Sequence, residues 1–416
     1  MSPSIAPPPT HAAPSVSLFA LATAVIVLSL YLAQPLVGII GPSLSLSPAA
    51  AGLITTLTLA GYALGLFLLV PLCDLVENRA LVLITLAVHV AALTVAACVT
   101  TPAVFLVASL LVGLSACAIQ MLIPMAAAMT IEARRGEVIG NIMSGLLLGV
   151  MLSRPLASLV AGRFGWHAVY GLLAIAVAVL LLALMRTLPK HRPVGSRTYV
   201  SLVASLWTLW REEPVLRTRA ITAAFCFAAF NAFWSTVALA LARAPFSLGG
   251  TGIALFTLAS ISGAISAPVA GRLGDRGKTR LATQMAHACV IAGLALAWLA
   301  DSPWAINHLS PMLALALLCL AAILLDAGTI ADQALGRRAV NLLRPEARGR
   351  INGLYTGLFF LGGAVGSALA GAAWVSMDWS GVCLLALVFA VAAGVLDAQR
   401  APHAAKALAR VCRADT

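Results

Sequence analysis

Two ionisable residues stand deep inside long apolar runs, and the chemistry of the chain is read first from them. Arg154 lies in Met151-Leu152-Ser153-Arg154-Pro155-Leu156, and Asp326 lies in Leu324-Leu325-Asp326-Ala327-Gly328. A charge facing lipid at mid-depth costs at least about 2.5–3.5 kcal/mol, so each should face a bundle interior or a watery cavity. The planar guanidinium of Arg154 can bind a carboxylate, a phosphate or a polyol through its fork of donors. It can equally join helices through an ion pair, or snorkel to the surface. A carboxyl taken out of water can exchange protons near neutral pH, which would make Asp326 a coupling group. A static hydrogen bond or ion pair, including one with Arg154, is the other reading, and no spacing places the two residues together.

Softer polar signals accompany them. Tyr31, Gln34, Gln120, Asn231 and Trp234 sit in apolar runs and can line a cavity. Such side chains also hydrogen-bond across helices, each bond worth about 0.6–2 kcal/mol. Asp332, close to Arg337 and Arg338, is read as interfacial. The eight cysteines show no CxxC or Cys/His metal spacing, and His89 and His287 stand isolated, so no metal and no cofactor are expected.

The elements that must position these residues are membrane helices. A hydrocarbon core about 30 Å thick takes roughly 20 apolar residues per helix. Twelve such stretches occur, near 16–38, 50–72, 80–99, 103–129, 137–161, 166–187, 218–241, 250–271, 280–300, 311–334, 351–373 and 379–398. Hydrophobic residues make up 61% of the chain and charged residues 10%, against about 25% charged in soluble domains. The fold class is therefore an all-α polytopic membrane protein.

Charge sets the expected orientation. Of the 26 Lys and Arg, 23 fall in alternate gaps and the carboxyl-terminal tail. Only Arg163 and Arg243 fall on the other side, and Arg154 lies within a span. Basic loops resist translocation, so both termini are expected to be cytoplasmic. The net charge of +12 then sits in short loops facing an anionic leaflet, not against nucleic acid. The first span is too long and too weakly flanked by basic residues for a cleaved signal peptide.

The longest polar gap divides the spans six and six. The organisation expected is a disordered cytoplasmic tail at 1–15, a six-helix bundle at 16–187, a cytoplasmic linker at 188–217, a second bundle at 218–398 and a tail at 399–416. Trp207 and Trp210, with charged neighbours, suggest a short amphipathic helix in the linker. Gly136, Gly140, Gly149, Ser153 and Trp166 recur 213 residues later as Gly349, Gly353, Gly362, Gly366 and Trp379, and Asp74 recurs 201 residues later as Asp275. A repeat of six spans marks transporter folds whose halves rock about a central site. The glycine ladders read as close-packing helix faces.

On these residues the chain resembles the major facilitator superfamily over all but its amino-terminal tail. Gly271-Arg272-Leu273-Gly274-Asp275-Arg276-Gly277-Lys278-Thr279-Arg280 is close to that superfamily's loop signature, and Pro71-Leu72-Cys73-Asp74-Leu75-Val76-Glu77-Asn78-Arg79 is a degenerate copy. Gly140, Gly149 and Ser153 resemble the Gly-rich fifth span of antiporters, although Arg154 stands where those have Pro. The run from Asn352 to Ser367 is similar to bacterial drug- and sugar-efflux-like permeases. The resemblance implies that Asp74 and Asp275 latch the halves on the cytoplasmic side, and charge-assisted bonds from Arg79, Arg276 and Arg280 can complete that latch. The coupling Arg of many proton-linked relatives is missing, since Ser109 stands four residues before Gly113.

The expectation is a secondary active transporter working by alternating access, in the inner membrane of a bacterial-type cell. Proton-linked efflux of an amphipathic compound or metabolite is the leading reading, and uptake of an organic anion the alternative. A ligand sensor that transports nothing is the reading from another class. No HExxH, Walker loop, GxSxG or CxxC motif occurs, so no enzyme is expected. The expected partners are a small-molecule substrate, protons and the lipid bilayer, with the chain a monomer.

Overall fold

A computed structural model describes residues 16–190, 192, 198–344 and 347–414, with side chains omitted at 48, 49, 260, 264 and 400–414. The amino-terminal tail at 1–15 lies outside the described residues.

Helix starts are written locally. Ser-Pro pairs open three helices, because a Ser side chain accepts a first-turn N–H while Pro lacks the donor that position would orphan. Ser47 opens α3 (Pro48–Leu68), Ser302 opens the short α14 (Pro303–His308) and Ser310 opens α15 (Pro311–Asn341). Before α3 the chain forms α1 (Val16–Tyr31), a 3₁₀ turn at Gln34–Leu36 and α2 (Val37–Ser43). Then follow α4 (Asn78–Cys98), α5 (Pro102–Ala116), α6 (Ala118–Ala128), α7 (Arg135–Phe164) and α8 (Trp166–Thr187). After the linker helix α9 (Tyr199–Glu212) come α10 (Pro214–Ala242), α11 (Gly250–Thr257), α12 (Ser262–Asp275), α13 (Thr279–Ala300), α14 and α15. The last helix, α16 (Arg348–Ala414), bends at Met377 and Asp378, where the backbone leaves helical angles.

Ten helical segments are long and apolar enough to cross a membrane. The last of them is two spans joined by the bend in α16. One further expected span, the eighth, is interrupted by a 3₁₀ turn at Leu258–Ile261 between α11 and α12. The twelve apolar stretches are thus all helical. The linker carries the expected amphipathic helix: Leu202, Leu206 and Leu209 of α9 are buried while Trp207 is exposed.

Packing follows the repeat. α1 packs on α7, α3 on α5 and α4 on α8, and in the second half α10 packs on α16, α12 on α15 and α13 on α16. In hydrocarbon the driving force between helices is close van der Waals contact, which small residues permit. A Cβ at Gly149 would lie 2.3 Å from the Ala24 carbonyl oxygen, and one at its repeat partner Gly362 would lie 2.2 Å from that of Ala224. The ladder holds only in part, however. Gly136, Gly140 and Gly349 have nothing within 4 Å of that position, so the small residues pack tightly only from mid-helix onward.

The two ends of the bundle differ. One end, called here the basic end, carries Asp74, Asp275, Arg338 and Arg344. There Arg344 joins Glu212 and Glu213, at 3.0 and 2.6 Å. At the opposite end Arg243 bridges Asp301, at 2.8 Å, and Asp378. Burial raises the Asp301 carboxyl above its ordinary value, although Arg243 pulls the other way.

Contacts between the halves are uneven. α3 lies along α16 over most of its length, from Gly52 against Gly371 to Phe67 against Gly357. On the other side α7 meets α11, where a Cβ at Gly250 would lie 4.0 Å from Gly162 Cα, but touches α12 little.

Candidate functional site

Three breaks in helical spans surround the molecular centre. A 3₁₀ turn leaves backbone groups free and redirects side chains, and in transporters such breaks are tolerated where they line a cavity. The turn at Gln34–Leu36 presents Gln34 inward, the break at Cys117 between α5 and α6 precedes Gln120, and the turn at Leu258–Ile261 precedes Gly263.

Arg154 is 1% exposed, which removes the snorkelling reading. Its Nε donates to Gln34 Oε1 at 2.7 Å. Gln34 Nε2 donates to Asn231 Oδ1 at 2.8 Å, and Asn231 Nδ2 donates to the Phe227 carbonyl at 2.9 Å. This chain of bonds crosses from the first half of the sequence to the second. The guanidinium lies over the Trp234 ring at 4.4 Å from its centroid, with Phe230 at 5.2 Å and Tyr31 at 5.3 Å. A desolvated cation over aromatic faces gains about 2 kcal/mol or more. Its Nη2 is buried and has no hydrogen-bond partner among the described residues.

Asp326 is 3% exposed and accepts from Trp234 Nε1 at 2.7 Å. It makes no ion pair with Arg154, yet both line one cavity, together with Tyr31, Tyr62, Gln120 and Phe227. Gln120 Nε2 donates to Tyr62 Oη at 3.3 Å. The cavity runs from this centre past Gln333 and Arg337 toward the basic end. Toward the opposite end the Gln34–Asn231 bond and the Gly38–Leu239 contact, 3.0 Å from a Cβ there, bring the halves together.

All seven expected binding residues therefore meet at the centre: Tyr31, Gln34, Gln120, Arg154, Asn231, Trp234 and Asp326 lie on the cavity wall or in its first layer of hydrogen bonds. Sequence reading missed Tyr62, Phe227, Phe230, Phe359 and Phe360, which form its apolar wall. The signal was an aromatic stripe at 227, 230 and 234, at helical spacing in the seventh span.

The expected latch residues are not joined across the halves in this conformation. Asp275 accepts from Arg338 Nε at 3.1 Å, and Arg79 Nη2 donates to the Met185 carbonyl at 2.6 Å, each within its own half. Asp74, Arg276 and Arg280 have no ion-pair partner among the described residues.

Two expectations are corrected. Asp332 is not interfacial: it is 1% exposed, because its position on α15 turns it toward α13 and away from Arg337 and Arg338. There its Oδ1 lies 3.2 Å from His287 Nε2, so His287 is not isolated either. His89 likewise has a partner, Ser115 Oγ, 2.8 Å from its Nδ1.

Comparison with known proteins agrees with this geometry. The model of the Major Facilitator Superfamily matches residues 19–331. The uncharacterised transporter YgaY of Escherichia coli is 35% identical over 374 residues, covering 90% of this chain and 92% of that protein. A probable transporter of Streptomyces coelicolor is 30% identical, covering 89% of this chain and 83% of its own length. Among solved structures, the nucleoside transporter NupG aligns with a TM-score of 0.71 at 16% identity, covering 92% of this chain and 98% of that one. A bacterial homologue of the lysosomal transporter Spinster, in an inward-facing and unoccupied conformation, aligns at 0.68 with 14% identity, covering 92% and 95%. At such identities the structural likeness speaks for the fold alone. The family match over most of the chain, joined to a central cavity between two sets of membrane helices, places this protein in the major facilitator superfamily as a membrane transporter and not an enzyme.

Proposed function

We propose that this transporter exports a small amphipathic molecule through the central cavity, driven by protons that Asp326 accepts and releases. The observation that carries the reading is the pairing of opposite charges on one aromatic-walled cavity without a direct ion pair. Arg154 offers an N–H with no partner, and Asp326 has one hydrogen-bond donor in Trp234. A substrate with an acceptor group and an apolar body fits between them, its body against Tyr62, Phe227 and Phe360. Residues 16–187 and 218–398 would rock as two bundles joined by the linker at 188–217. Asp74 and Asp275, with Arg79, Arg276 and Arg280, would close the basic end when the cavity opens at the other. The setting is an inner membrane with both termini cytoplasmic, and the working unit a monomer.

The test is retention of a dye, drug and metabolite panel in efflux-deficient cells, with and without a protonophore. Lower accumulation that the protonophore reverses is the expected outcome. Gradients supply the work because a proton entering discharges both potential and concentration terms, about 2.3 kcal/mol per 100 mV for the charge alone. Asp326→Asn should abolish net proton-driven export while preserving exchange of labelled for unlabelled substrate in proteoliposomes. Undiminished net export by that variant refutes the coupling role.

A second reading, uptake of an organic anion, is favoured by the unpartnered Nη2 of Arg154. It predicts higher accumulation of an anionic compound in the same panel.

A further inference from the structure

Away from the cavity, the second half holds a group of three chemically matched side chains. Cys226 on α10, His287 on α13 and Asp332 on α15 are all buried, and one ligand atom from each lies within 4.8 Å of the other two. They come from three helices and from positions 61 and 45 residues apart, so no sequence spacing reveals them. Cys226 Sγ, an imidazole nitrogen and a carboxylate oxygen form a mixed sulfur, nitrogen and oxygen donor set, the kind that suits a borderline-soft divalent ion such as Zn²⁺. In a tetrahedral site with bonds of about 2.0–2.3 Å, the donor atoms stand about 3.3–3.8 Å apart. The His287–Asp332 edge is already 3.2 Å, and the Cys226 thiol lies within 4.8 Å of both partners.

Other buried polar side chains stand one turn from the group on the same helices. Thr283 sits one turn before His287 on α13, and Arg219 Nη1 donates both to Thr283 Oγ1 at 3.4 Å and to Asp397 Oδ1 at 3.0 Å. On α15, one turn before Asp332, Thr329 Oγ1 is buried with no partner among the described residues. A cluster serving only as packing would be cheaper as apolar residues, since every buried polar group must find a partner.

We propose that Cys226, His287 and Asp332 form an intramembrane site for one Zn²⁺-class divalent cation, separate from the transport cavity. The ion would tie α10, α13 and α15 together and leave its fourth position to water. It would also sit close in sequence to the cavity residues, five before Asn231 on α10 and six after Asp326 on α15. The site is independent of the substrate and direction proposed above.

The test uses the full chain in detergent, purified through a tag without histidines, stripped with a chelator and titrated with CoCl₂. The expected result is one equivalent bound, with a near-ultraviolet thiolate-to-cobalt band, visible bands of four-coordinate cobalt, and displacement of both by ZnCl₂. Cys226→Ser should erase the charge-transfer band, and Asp332→Asn and His287→Gln should each weaken binding at least tenfold. Cys117→Ser, a buried thiol outside the group, should change nothing. If Cys226→Ser does not fold, the wild-type titration and Asp332→Asn decide. A folded wild-type chain that gives no one-equivalent band, or a full band surviving in Cys226→Ser, overturns the proposal.

Discussion

Arg154→Ala should cut transport by at least about 10–100-fold while the protein remains folded in the membrane. The estimate follows from losing hydrogen bonds to a charged group, about 1.5–3 kcal/mol, at 1.4 kcal/mol per decade. Two opposing terms limit the damage to the fold. Deletion leaves Gln34 Oε1 without its donor, at a cost of about 1–3 kcal/mol, but it also removes the expense of a buried cation. Arg154→Lys should recover little, because a point charge on a flexible stem cannot hold Gln34 and present a second donor in one plane. The measurement is substrate flux in proteoliposomes beside size-exclusion profiles of the same preparations. Wild-type flux in both variants would show that the guanidinium has no part in binding or coupling. Aggregated protein in both would return it to the role of a helix-joining group.

Gly366→Val should prevent formation of a stable bundle, lowering recovery of monodisperse protein by more than tenfold. At Gly366 a Cβ would stand 2.1 Å from the Ala228 carbonyl oxygen and 2.6 Å from its Cα. Both are backbone atoms of α10, so no side-chain rotation relieves the overlap and the two helices must separate. Overpacking in a well-filled core costs about 1–3 kcal/mol when side chains can yield, and here the loss is expected to exceed that range. Gly136→Val, in the same sequence ladder, should be tolerated because nothing lies within 4 Å of its Cβ position. Equal recovery of the two variants would show that the ladder is not a packing device.

The twelve spans and their repeat were legible because both are written locally, in runs of apolar residues and in offsets that keep type and spacing. Arg154 and Asp326 were legible for a related reason: a charge within hydrocarbon has few inexpensive places to go. Their meeting was not legible, since 172 residues separate them and only the packing of α7 and α15 about a common centre brings them to one wall. Asp332 misled because its neighbours in sequence are basic, whereas its helical phase points it to His287. The aromatic wall of Phe227, Phe230, Phe359 and Phe360 looked like ordinary apolar filling, as any such stripe does until a hollow is found beside it.

The unequal seams between the halves carry a further consequence. Along α3 and α16 the surfaces interlock from Gly52–Gly371 through the Tyr62–Phe360 ring pair, centroids 4.4 Å apart, to Phe67–Gly357. Along α7 they hold only near α11 and draw apart beside α12. Under the rocking motion proposed above, the looser α7–α12 flank would part more readily than the interlocked α3–α16 flank. The mouth so formed would be a slot, and flat, elongated molecules would pass it edge-on more easily than globular ones of equal volume.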